Sequence, residues 1–329
     1  MREDLVAFEE QTGAALRAVA GPLAALPAGA AAGAVLAALG VPDFFVSGRA
    51  RPQVPRVALP EVEVPGAIEA WSFAAGQRRV AFVTVPPERV ATTVAAFPGA
   101  HVETRARRVE IGPQDRWHDD RARGAPRVEL FIARTASDAR DAAAMQAEDP
   151  TRHGAALGAL LGYPPCCVAA FLAQRTRHDN SLNRHLTDAR TTAGGPWPWL
   201  LNDLHWRLVA FYPCRYDCPA AVAVARATVD AIDAAHPGTA ARLAAALTAA
   251  VFYVDHERQV WLTPPRAERR VIHYQAVAAP GAGPAVDGLV ALFALADAVE
   301  QAAGRLTLFD GGRRLAFGPA PVSALMHFA

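Results

Sequence analysis

At 329 residues, 52% apolar and 20% charged, the chain can bury one large core or two modest ones, and its composition is that of an ordinary globular protein. A net charge of +1, with basic residues spread along the chain, excludes a concentrated nucleic-acid-binding face. None of the 33 Lys-or-Arg positions is a lysine, which excludes Schiff-base, phosphate-loop and lysine-dependent kinase chemistry.

The amino-terminal 40 residues read as two alanine-rich helices separated by GPLAALPAG, and prolines from Pro42 to Gly66 suggest edge strands or an extended connection. RRVAFVTV then reads as a strand, PPERVATTVAAF as a helix opened by proline, and AHVETRARRVEI as an alternating strand. The polar GPQDRWHDDRARGAP predicts a loop. RVELFIART predicts a buried strand, and SDARDAAAMQAE a helix capped by Ser137.

HGAALGALLGYPPCCVAAFLAQR predicts two helical pieces broken at Pro164 and Pro165, and an alanine-rich helical stretch runs to about Ala250. The tail predicts strands in VFYVDHERQVWL and RVIHYQAVA, then a helix over DGLVALFALADAVEQAAG. RLTLFDGGRRLAF predicts a hairpin turning at Asp310-Gly311. The expected class is α+β, with a helical cysteine-bearing centre flanked by mixed α/β parts. Its expected divisions are 1–126, 127–250 and 251–329.

All the cysteines fall in two motifs, YPPCC with Cys166 and Cys167, and FYPCRYDC with Cys214 and Cys218. The start MREDLVAFEE is acidic where a secretory signal is basic, so a cytoplasmic location is expected. No apolar run reaches membrane-spanning length, so no membrane partner is expected. In a reducing compartment, clustered cysteines point to metal or redox chemistry. On a helix, Cys214 and Cys218 would share a face. The prolines before Cys166 and Cys167 suit a first helical turn, where free N–H groups favour thiolates.

Adjacent cysteines fit one tetrahedral ion awkwardly, whereas a cubic iron–sulfur cluster accepts both. The leading expectation is therefore a [4Fe-4S]-type cluster on Cys166, Cys167, Cys214 and Cys218, serving redox or sulfur-related chemistry on a small-molecule substrate or with a redox partner protein. The alternatives are a structural zinc ion, a metal-free thiol enzyme with a tandem-cysteine nucleophile, and buried packing. The cubic cluster calls for sulfurs about 6 Å apart, and zinc for about 4 Å. Either way the two motifs must enclose a common space, screened by Tyr163, Phe211 or Tyr212.

The catalytic candidates are His153, on the helix before Cys166, and Arg215, which could offset thiolate charge or bind an anion. His178, His185 and His205 are further acid–base candidates. Asp217 reads as a local helix cap. Trp117–Asp120 and Asp255–Glu257 contain ligand-type residues but lie where turns are expected, and nothing converges on them.

HGAALGALLGYPPCCVAAF with FYPCRYDCPAAVAVA resembles an uncharacterised prokaryotic family catalogued as domain of unknown function 483, over roughly residues 127–230. Its hallmark is a histidine-leading helix, a Gly-Tyr-Pro-x-Cys-Cys step and a Pro-Cys-x-x-x-Cys step. The resemblance implies that His153, Tyr163, Pro164, Cys166, Cys167, Cys214 and Cys218 belong to one functional centre. It implies no established activity.

Overall fold

The computed structural model describes residues 59, 66–112, 116–119, 124–148, 150–175, 196–204, 206–253, 259–279, 290–302, 305–319 and 324–329. The expectations for the first 40 residues, for 42–65 apart from Leu59, and for His178, His185, His205, Asp120 and Asp255–Glu257 lie outside them. The described residues form helices and three antiparallel sheets, an α+β fold. They fall into two compact units.

The first unit holds described residues between 59 and 175 and from 197 to 247. It begins with α1 (Ala67–Ala74), β1 (Val80–Val85), α2 (Val90–Ala95), β2 (His101–Gly112), β3 (Arg116–Asp119) and β4 (Ala125–Ala133). The strands pair in the order β1-β4-β2-β3. Alternation in β1 and β4 sorts side chains onto two faces. Ala81, Val83, Leu130 and Ile132 meet Phe73 and Phe97 on one face. Val80, Phe131 and Ala133 meet Ala139, Ala142, Leu157 and Leu160 on the other.

That second face is covered by α3 (Ala136–Ala147) and α4 (Pro150–Leu160). There follow α5 (Pro165–Arg175), α6 (Pro219–Ala235) and α7 (Thr239–Leu247). α4 and α5 approach closely because Gly154 and Gly158 present no side chain. A Cβ there would stand 2.5 Å from Leu172 and 2.6 Å from Val168.

Several expectations change. The segment read as a polar loop contains β3, which pairs with Val109–Gly112, because ladder hydrogen bonds satisfy a backbone whose side chains are polar. The division expected at residue 127 falls inside β4, so both sides belong to one sheet. The cap of α3 is Thr135, not Ser137: its hydroxyl accepts from the Asp138 amide at 3.2 Å. The long alanine-rich helix is two, interrupted at His236-Pro237-Gly238, with Gly238 at φ 88.

The second unit holds Pro196 and the described residues from 248 to 329. One sheet contains β13 (Ala324–His327), β5 (Ala250–Tyr253), β6 (Gln259–Thr263) and β9 (Ala276–Ala278), in that order. The other runs β12 (Arg313–Pro319), β11 (Arg305–Asp310), β10 (Ala298–Ala302), β8 (Val271–His273) and β7 (Arg266–Glu268). Among the described residues of the stretch expected to be helical throughout, helix covers 290–294. Beyond it, β10 pairs on both sides, with β8 and β11, and that pairing overrides the helical preference of DAVEQAA. The β11–β12 hairpin turns on Gly311-Gly312, at φ 56 and 79, one residue later than the Asp-Gly signal placed it.

Candidate metal centre

The centre is assembled at two helix starts. α4 ends at Leu160, the φ of 70 at Gly162 turns the chain back, and the Tyr163 amide bonds the Gly158 carbonyl at 2.9 Å. Pro165 occupies the first position of α5, where a missing N–H costs nothing. Cys166 and Cys167 follow in that first turn, as expected.

Cys214 and Cys218 do not share a helix face. Cys218 is the N-cap of α6, ahead of Pro219, and its amide bonds the Arg215 carbonyl at 3.1 Å. Cys214 lies in the turn before it. Tyr216, 3% exposed, anchors this turn: its hydroxyl donates to Asp203 at 2.8 Å, and its ring centroid stands 5.5 Å from that of Trp197.

The sulfurs of all four cysteines lie within 4.8 Å of one another, an arrangement that can hold a metal ion. Cys166 and Cys167 stand 3.9 Å apart, Cys166 and Cys218 3.7 Å, and Cys167 and Cys218 3.8 Å. The tandem pair thus converges where awkward divergence was expected. Cys167 and Cys218 are buried, Cys214 half-buried and Cys166 exposed. The Cys214 amide donates to the Cys167 sulfur at 3.3 Å.

Electrostatics makes these thiols dependent on one another. Burial pushes Cys167 up, and pushes Cys214 up to about 11. Burial also opposes ionisation of Cys218, but the Ala221 amide and the neighbouring thiols outweigh it and hold Cys218 below its ordinary value. One thiolate is therefore supported by protonated neighbours. A cation among the four sulfurs would supply the positive charge that favours thiolates there.

The other candidates are engaged elsewhere. His153 Nε2 lies 2.6 Å from the Glu148 carboxylate. Arg215 is exposed and paired with Asp217 at 2.8 Å, so Asp217 serves as an ion-pair partner and Cys218 takes the cap position. Tyr163 and Phe211, expected to screen the sulfurs, pack on each other with ring centroids 5.1 Å apart. Arg207 stacks 4.7 Å over the Tyr212 ring and donates to its hydroxyl at 3.2 Å. Sequence reasoning missed Trp197, Asp203 and Tyr216 as supports of the second motif, because only tertiary structure brings them together. No family model, curated protein or solved structure matches the chain.

Proposed function

We propose that Cys166, Cys167, Cys214 and Cys218 hold one zinc ion in a structural tetrathiolate centre. One observation carries this reading. Three of the sulfur separations are 3.7, 3.8 and 3.9 Å. Zinc–thiolate bonds of about 2.3 Å in a tetrahedron require sulfurs about 3.8 Å apart. A cubic iron–sulfur cluster needs about 6 Å, so the compact spacing favours a single ion over the cluster that the tandem motif first suggests.

Four protein thiolates leave zinc no open position, which makes its role structural. The Cys214 amide on the Cys167 sulfur adds the outer support usual around such ligands. The ion would clamp the start of α5 to the turn preceding α6, two segments far apart in sequence. The Gly-Tyr-Pro-x-Cys-Cys and Pro-Cys-x-x-x-Cys elements support a family likeness to domain of unknown function 483 built around one shared centre.

Elemental analysis of anaerobically purified protein tests the assignment. The expected product is colourless, with one zinc per chain and thiols that alkylate slowly until a chelator is added. Brown protein containing iron and sulfide would replace zinc with the cluster. A coloured, sulfide-free protein with one iron would keep the tetrathiolate site but change its ion. Metal-free protein with a rapidly alkylating thiol would overturn the metal reading in favour of a nucleophile.

A further inference from the structure

The four thiols of the proposed zinc centre differ in access. Cys167 and Cys218 are buried and Cys214 is half-buried, whereas Cys166 is exposed. Its α5 neighbours Pro165 and Ala169 are exposed as well, so solvent reaches this side of the helix start. Cys166 is therefore the ligand that a small solute meets first. Oxidation of cysteine follows thiolate character together with exposure, and in a tetrathiolate centre only the exposed sulfur combines the two.

The sulfurs around Cys166 are not equivalent as partners. Cys167 is adjacent in sequence, and consecutive Cα atoms across a trans peptide stand about 3.8 Å apart, short of the roughly 4.4–6.8 Å that a disulfide spans. Cys167 is also held in place: its amide donates to the Pro164 carbonyl at 2.9 Å, and its sulfur accepts from the Cys214 amide at 3.3 Å. The Cys218 sulfur lies 3.7 Å from that of Cys166, against 3.9 Å for Cys167. Cys166 and Cys218 each stand at a helix start, where the backbone can shift without breaking inner turns. The pair can thus close to the roughly 2.0 Å of a disulfide bond at little cost to either helix.

We propose that Cys166 is an oxidation site for peroxides, and that its oxidation converts the zinc centre into a Cys166–Cys218 disulfide with loss of the ion. This rests on the zinc reading and adds a regulation to it. The Cys166 thiolate attacks one oxygen of hydrogen peroxide, so an S–O bond forms, the O–O bond breaks and hydroxide leaves. Sulfur gives up two electrons and becomes a sulfenic acid. The Cys218 thiolate then attacks the Cys166 sulfur, and an S–S bond replaces the S–O bond as a second hydroxide leaves. Two thiolates, one hydrogen peroxide and two protons yield one disulfide and two waters. Cys167 and Cys214 remain, and two thiolates do not complete the tetrahedron that structural zinc requires. The bridge then joins the start of α5 to the start of α6 in place of the ion.

The test begins with zinc per chain in the reduced full-length protein. Hydrogen peroxide is then added beside a chromophoric zinc indicator, remaining thiols are blocked, and digested peptides are fragmented to tell Cys166 from Cys167. Zinc should leave at least about tenfold faster than with indicator alone, a Cys166–Cys218 bridge should appear, and a thiol reductant should restore zinc binding. Cys166→Ser and Cys214→Ser each remove one ligand, but only Cys166→Ser should lose the acceleration by peroxide. Reduced protein without zinc overturns the metal reading and this switch together. Zinc that is present but stays through peroxide treatment overturns the switch alone. So does a bridge from Cys166 to Cys167 or Cys214, a sulfinic acid with no bridge, or acceleration that survives in Cys166→Ser.

Discussion

One glycine aims the first cysteine motif. Gly162 has a φ of 70, and any side chain there meets the Gln77 carbonyl. Gly99 has a similar φ of 73 but nothing within 4 Å of an added Cβ. The pair separates backbone strain from close approach. Gly99→Ala is expected to cost about 1–2 kcal/mol, the price of the left-handed conformation alone. Gly162→Ala adds a backbone collision that no rotamer relieves, for a total of about 3 kcal/mol or more. Urea midpoints measure both. A displaced Gly162 also shifts Cys166 and Cys167, so zinc competition with a chromophoric chelator should show weakened affinity in Gly162→Ala and none in Gly99→Ala. Equal costs for the two variants would show that the contact with Gln77 is unimportant.

At the scale of elements, legibility followed how local the deciding interaction was. The break at Pro164-Pro165 was readable because proline acts on its own backbone. β1 and β4 were readable because alternation and β-branched residues mark a buried strand. β3 was not, since its pairing with β2 satisfies a segment of polar composition, and β10 was not, since two neighbouring strands outbid an alanine-rich helical preference. The four cysteines were legible as one site, but the sulfur–sulfur distances on which the zinc proposal rests were not, because spacing along the chain leaves them open. β13 carries a consequence that only the fold reveals. His327 pairs with Ala250 across the β13–β5 ladder, and its Nε2 is buried without a hydrogen-bond partner among the described residues. Burial lowers its pKa below the usual 6.5. The unfolded chain therefore binds this proton more readily than the folded one. The stabilisation is fully present above about pH 6.5 and fades as pH falls toward the lower folded value. Denaturant midpoints of the wild type should drop between pH 7.5 and 5, and His327→Phe should flatten part of that drop. A parallel pH profile in the variant would remove His327 as the cause.

For the whole molecule, the arrangement of cores decides what a metal can hold together. The cysteines lie in the unit whose clusters surround Val80, Phe131, Leu130 and Ile132. The other unit has its own core, around Phe252, Val260, Leu262, Phe293 and Val299, and none of the four cysteines belongs to it. A bound ion stabilises only the state that presents its ligands together, so its free energy is deposited where the thiols converge. The sheet of the cysteine unit buries both faces without help from a metal, so if the proposed ion is bound, chelation should loosen that unit without erasing it. Hydrogen exchange read peptide by peptide, before and after treatment with a strong zinc chelator, resolves the distribution. Peptides covering 163–172 and 211–225 should lose most protection, those from β1 and β4 less, and those from β5, β6 and β10 least. Uniform loss over both units would show that the centre stabilises the chain as a whole. Unchanged protection at 163–172 and 211–225 would show that those segments are held by their packing alone, through Tyr163 on Phe211 and Tyr216 on Trp197 and Asp203.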